Sequence, residues 1–86
     1  MLFRSAHLRA QPAEVKLISA ADKLHNCASI RKDHAVVGAR VWERFTAGKK
    51  GTLWYYQAVS DALAVDWDHP LHRMLAEEVR LLHAEA

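Results

Sequence analysis

The chain is short of cysteine, proline and glycine. Its 86 residues include one cysteine, two prolines and three glycines. A lone Cys27 excludes an internal disulfide and therefore a disulfide-stapled secreted scaffold, and it fits a reducing compartment. Cys27 falls within the first predicted helix, where we expect it to pack as a small hydrophobe rather than act as a nucleophile.

Long apolar runs and charge blocks of one sign are also missing. No apolar run approaches the roughly eighteen residues that a membrane span needs, and the start of the chain lacks the apolar core of a secretory signal. The net charge of +2 comes from twelve basic and ten acidic residues spread along the chain. Without a basic block interleaved with aromatic residues, nucleic-acid binding is poorly supported. We expect a cytoplasmic protein with neither a membrane nor a nucleic acid as its partner.

Apolar residues are plentiful. They make up 51% of the chain and include three tryptophans, which favours a folded chain over a disordered one. The length fits one domain or part of one. Because so short a chain buries only about 60% of its extended surface, we expect marginal stability.

The apolar spacing predicts an all-α fold of about four helices and no strands. The first helix runs from Ala13 to Ile30, with Pro12 in its first turn. Its predicted buried face consists of Leu17, Ile18, Ala21, Leu24 and Ala28.

The other three helices are predicted from their breaks and caps. The second spans His34 to Thr46, with Asp33 as its N-cap, and contains Gly38, which implies a close approach by a neighbour. Gly48 ends it, and residues 48–51 (GKKG) form a turn rather than a phosphate-binding loop. Thr52 caps the third helix, from Leu53 to Val65, and the fourth runs from near Pro70 to Ala84. The third helix is predicted to bury some of Leu53, Trp54, Tyr56, Val59 and Leu63. The fourth is predicted to bury Leu71, Met74 or Leu75, Val79 and Leu82.

The first helix carries a stripe of small polar residues beside its apolar face. The stripe consists of Ser19, Asp22, Asn26 and Ser29. One interpretation makes Asp22 an oxygen ligand for a divalent cation, with Asn26 one turn further on near whatever the cation holds. The other makes Asp22 a solvated or paired carboxylate and Asn26 a residue at the helix end.

Three segments together carry a family resemblance. Residues 20–26 (AADKLHN), 42–45 (WERF) and 48–56 (GKKGTLWYY) resemble the C-terminal half of HD-domain phosphohydrolases, in particular the guanosine polyphosphate pyrophosphohydrolase group. The resemblance runs from about Val15 to Leu63. It implies an all-helical domain that binds one divalent metal, commonly manganese, through a His, a His-Asp pair and a later Asp. In the family that later Asp lies in an Asp-x-Leu-His-Asn segment, which makes Asp22 the expected metal ligand and Asn26 the expected substrate-binding residue.

The chain departs from the family in its metal ligands. It contains no His-Asp dipeptide, and the family's other ligands lie well upstream of the Asp-x-Leu-His-Asn segment. A single carboxylate cannot hold a catalytic metal against water, so we expect no tightly bound metal and no hydrolysis by this chain alone. Residues 1–5 are interpreted as a non-native leader and residues 6–86 as a partial HD-type helical domain.

The resemblance implies a parent enzyme that hydrolyses a nucleotide phosphate or pyrophosphate such as guanosine tetraphosphate. Its general acid and base would lie upstream, and either Tyr55 or Tyr56 could reach the nucleotide. His69 and His72, near Asp66 and Asp68, are expected to serve loop and cap roles rather than bind zinc.

The rival hypothesis is a short, non-catalytic helical interaction module that homodimerises. A fragment of a larger domain should also self-associate through exposed apolar surface.

Overall fold

The structure, a computed structural model, describes residues 5–86. Of the predicted leader, residues 1–4 lie outside the described residues. The described part contains four α-helices, one 3₁₀-helix and no strand, which confirms the all-α class. In chain order the elements are α1 (Ser5–Arg9), α2 (Ala13–Val37), the 3₁₀-helix (Gly38–Arg44), α3 (Gly48–Leu63) and α4 (Pro70–Glu85).

Helix α2 is longer than predicted. It begins directly after Pro12, whose carbonyl accepts the first hydrogen bonds, and it continues for 25 residues to Val37. Asp33 is therefore an interior residue of α2 and not the N-cap of a new helix; its carboxylate pairs with Arg44 at 3.0 Å. Pro12 stands one residue before the turn in which it was predicted.

Gly38 ends α2, so the prediction of a glycine inside a helix is wrong. Its φ is +65°, in the left-handed region that favours glycine. Nothing lies within 4 Å of the position where a Cβ would stand, so backbone conformation and not a close neighbour accounts for the residue. The chain then tightens into the 3₁₀-helix, which replaces most of the predicted second helix and buries Val41 and Trp42.

Helix α3 begins four residues earlier than the predicted cap. Gly48 starts it with a φ of +68°, and its N–H donates to the carbonyl of Phe45 at 3.0 Å. Thr52 is thus buried inside α3 and does not cap it. Helix α4 begins at Pro70 as predicted and ends one residue later than predicted, at Glu85. Its start is marked by Pro70 and by His69, whose Nδ1 accepts the N–H of Leu71 at 3.0 Å.

The core lies where α2, α3 and α4 meet the 3₁₀-helix. Helices α3 and α4 contribute the predicted Val59, Leu63, Val79 and Leu82, while Leu75 is buried and Met74 is exposed. Of the predicted α3 residues, Tyr56 is also buried, whereas Trp54 is exposed.

The predicted buried face of α2 is wrong except at Leu24, which is partly buried and packs against the core. The residues that α2 buries are Lys16, Ala20, Cys27 and Ile30, and Ile18 is 71% exposed. Apolar and small residues occur on both sides of this helix, so spacing alone did not distinguish them. Lys16 lies on the inner side because its aliphatic stem packs there while its ammonium donates to the carbonyl of Val65.

Candidate functional site

Asp22 lies near the middle of α2 and faces outward. Its side chain is 57% exposed, and its Oδ2 accepts a hydrogen bond from the Lys23 Nζ at 2.8 Å. This bond and the charge of Lys23 hold the pKa of Asp22 below its usual value, with a smaller contribution from the neighbouring His25. Asp22 is therefore ionised at neutral pH and open to solvent on one side.

Asn26 lies one helical turn beyond Asp22 and is half-buried. Because α2 continues to Val37, Asn26 is not a helix-end residue, and that part of the alternative is wrong. Its other part, a solvated and paired Asp22 carboxylate, is what the structure shows. At about 100° per residue, four residues separate the two side chains by about 40° around the helix. A carboxylate and an amide thus stand one above the other on the same side of α2.

The two tyrosines of α3 differ in position. Tyr56 is 7% exposed and belongs to the core cluster with Cys27, whereas Tyr55 is half-buried and contacts Tyr56 edge-on at 5.3 Å between ring centres. Burial raises the pKa of Tyr56 to about 12, and the charges of Cys27, Tyr55 and Asp22 add to the shift.

Cys27 behaves as the packed hydrophobe that was predicted. It is fully buried, and burial raises the pKa of its thiol to about 12, so the thiolate that a nucleophile requires does not form near neutral pH.

The residues around Asp22 do not by themselves fit a metal ion. Within residues 5–86 no three His, Cys, Asp or Glu side chains come together in a group that could hold one. The side chains that lower the pKa of Asp22 are those of Lys23 and, to a smaller extent, His25, and neither is a carboxylate that could share a cation with it. A metal site needs several convergent donors, so Asp22 can supply only part of one.

The histidines near α4 have structural roles, as expected. His69 caps the helix through its Nδ1, and the His72 Nε2 donates to the carbonyl of Ser60 at 2.9 Å. The ring of Trp67 stacks on His69 at 5.3 Å. These contacts hold the turn between α3 and α4.

An open groove beside the start of α3 was not foreseen. Its volume is about 460 Å³, and aromatic side chains form much of its lining. Among the lining residues are Phe45, Thr52, Trp54, Tyr55 and Tyr56. The predicted turn at 48–51 is the first turn of α3, and its Lys49 Nζ donates to the carbonyl of Ala86 at 2.9 Å. The sequence left open whether Tyr55 or Tyr56 reaches a nucleotide, because adjacent aromatic residues do not reveal which of them line a surface.

No protein-family model, curated protein or solved structure matches this sequence. No helix in the described part of the chain is long and apolar enough to cross a membrane.

Proposed function

We propose that this chain is the C-terminal part of a metal-dependent HD-type phosphohydrolase and that Asp22 is one of that enzyme's metal ligands. The observation that carries the proposal is the solvent-open, ionised carboxylate of Asp22 with the Asn26 amide beside it on the same side of α2. The resemblance of residues 20–26, 42–45 and 48–56 to the family supports the same assignment.

The proposed division of roles follows the chemistry of the side chains. Asp22 provides a hard oxygen donor suited to a divalent cation such as Mn²⁺. Asn26 offers both a donor and an acceptor for positioning a nucleotide phosphate or pyrophosphate, such as guanosine tetraphosphate. The remaining ligands and the general acid and base come from sequence upstream of this chain, in the cytoplasmic parent enzyme.

A hydrolysis assay tests this assignment. The protein encoded by the complete open reading frame is incubated with Mn²⁺ and guanosine tetraphosphate, and pyrophosphate release is followed. We expect turnover by the complete protein and at least a 100-fold loss in Asp22→Ala. Asp61→Ala is the matched control, because Asp61 is an exposed carboxylate bonded to Gln57 on α3. Full activity in Asp22→Ala would refute the ligand role.

A second candidate function is a non-catalytic helical module that pairs with itself. It is favoured by the outward face of α2, where Ile18 and the partly exposed Leu17 lie on the surface. Metal binding by the complete protein supports the first function, whereas a dimeric state of this chain supports the second.

A further inference from the structure

Six exposed residues form a second stripe along the outward face of α2, separate from the small polar stripe that contains Asp22. They are Glu14, Ile18, Ala21, His25, Ala28 and Lys32, and successive members are alternately four and three residues apart. This alternation keeps side chains on one face and is the spacing of a seam between two packed helices. In the described chain no other helix covers these residues, and Ile18, near the N-terminal end of the stripe, is 71% exposed.

The stripe is symmetric about position 23. If a second α2 lies antiparallel across it, Glu14 meets Lys32 of the other copy, and the same pair forms again at the opposite end. The bulky Ile18 then faces the small Ala28, which leaves room for it. A parallel arrangement would instead place Glu14 against Glu14 and Lys32 against Lys32.

We propose that two copies of this chain pair through α2 in antiparallel orientation, with the two-fold axis near position 23. Opposite charges close both ends of the stripe, and large residues meet small ones between them. At about 1.5 Å per residue the stripe is about 27 Å long. A single helix pair of this length is at the low end of interface sizes, so the dimer is weak and depends on concentration.

The charges near the proposed axis are compatible with this packing. Asp22 lies beside the stripe at the level of the axis, and because the Lys23 ammonium bonds to it within each copy, repulsion between the two carboxylates is offset. Asn26 lies about 100° around the helix from His25, outside the stripe. The pairing rests on the second candidate function and is independent of the metal-ligand role of Asp22.

Sedimentation equilibrium of the 86-residue chain at about 5 to 500 µM tests the surface. We expect a reversible monomer–dimer equilibrium whose Kd rises at least tenfold in Ile18→Ser. Val36→Ser is the matched control: Val36 is 80% exposed on the same face of α2 but lies beyond Lys32, where the antiparallel partner helix has not yet begun, and its substitution leaves the Kd unchanged. Both residues are exposed, so circular dichroism should show intact helices in each variant.

Charge exchange tests the orientation. Glu14→Lys and Lys32→Glu each place like charges at both ends of the homodimer and weaken it, whereas an equimolar mixture restores pairing because each end then joins opposite charges. A chain that stays monomeric throughout, a dimer insensitive to Ile18→Ser, or a mixture that fails to recover would each overturn the proposal. The measurement uses the 86-residue chain without added metal, so its outcome does not depend on the metal-ligand role of Asp22.

Discussion

Lys16 places a charged side chain among the buried residues of the core. It is 3% exposed, and its ammonium donates to the carbonyl of Val65 in the turn that follows α3. Its aliphatic stem fills the space where α2 meets this turn. The residue thus combines packing with the satisfaction of a carbonyl near the C-terminal end of a helix.

Two substitutions separate these contributions. Lys16→Met keeps most of the packing and removes the buried charge, so we expect a free energy of unfolding within about 1 kcal/mol of the unaltered chain. Lys16→Ala also removes the stem and should destabilise by about 2 kcal/mol. Urea unfolding measures both. Equal losses in the two variants would show that the ammonium, not the stem, stabilises the fold.

The position of Asp22 could be predicted from the sequence, whereas those of Lys16 and the two tyrosines could not. The motif around it indicated a surface carboxylate with a neighbouring amide, and the structure has both on one side of α2. The burial of Lys16 had no signal, because a lysine is normally an exposed residue. The different positions of Tyr55 and Tyr56 depend on how α3 packs against α2, which adjacent residues of the same type do not encode.

Among the contacts between elements, Arg31 joins α2 to α4 most directly. Its guanidinium pairs with Glu78 at 2.8 Å and with Glu85 at 2.7 Å. Arg31→Ala should lower the free energy of unfolding by about 1 kcal/mol, and the loss should shrink in high salt. Arg80→Ala is the control, since Arg80 pairs only along α4 with Glu77 and should change stability little. A loss that does not depend on salt would point to packing and not to charge.

Cys27 and Tyr56 make the contact between α2 and α3 sensitive to alkali. In the unfolded chain they lose their protons near pH 9.0 and 10.0, whereas burial raises both pKa values to about 12 in the folded chain. The unfolded state therefore binds fewer protons between these limits. The stability that these groups contribute is fully present below pH 9 and is lost as the pH rises toward 12.

The expected slope is about 1.4 kcal/mol per pH unit for each group that titrates. Urea unfolding from pH 8 to 11.5 measures it. In Cys27→Ala the decline should begin near pH 10 instead of pH 9, since only the tyrosine contribution remains. An unfolding free energy that stays constant across this range would contradict the burial of both groups.

Helix boundaries were predictable where a cap and a proline coincide, as at His69 and Pro70. They were not predictable around Gly38 and Gly48, because a glycine signals a positive φ without telling whether it ends a helix or begins one. Asp33 is a suitable N-cap by residue type, yet α2 continues through it. The burial of Ile30, Trp42 and Val41 against the other helices outweighs that local preference.

At the scale of the whole molecule, a small core is packed against one side of the long helix α2, and the other side of α2 is exposed to solvent. A domain of 86 residues has a stability of about 4 to 13 kcal/mol. Helix α2 contacts α3, α4 and the 3₁₀-helix on one side and presents Ile18, Asp22 and His25 on the other. The class of fold followed from composition and spacing. The orientation of α2 did not, because both of its sides carry apolar and small residues.

The outward side of α2 is also where both proposals apply. In the first proposal Asp22 and Asn26 form part of a metal and substrate site, and in the second the stripe from Glu14 to Lys32 forms the pairing surface. Under the proposed metal role, this chain and the protein encoded by the complete open reading frame should behave differently, because ligands from elsewhere would have to converge on Asp22.

Titration with Mn²⁺, followed by electron paramagnetic resonance of the free ion, tests the role of Asp22 most directly. We predict that the complete protein binds one Mn²⁺ per chain, that Asp22→Asn weakens binding at least 100-fold, and that the 86-residue chain shows no tight site. Unchanged Mn²⁺ affinity in Asp22→Asn, or one tight equivalent bound by the 86-residue chain, would contradict the account.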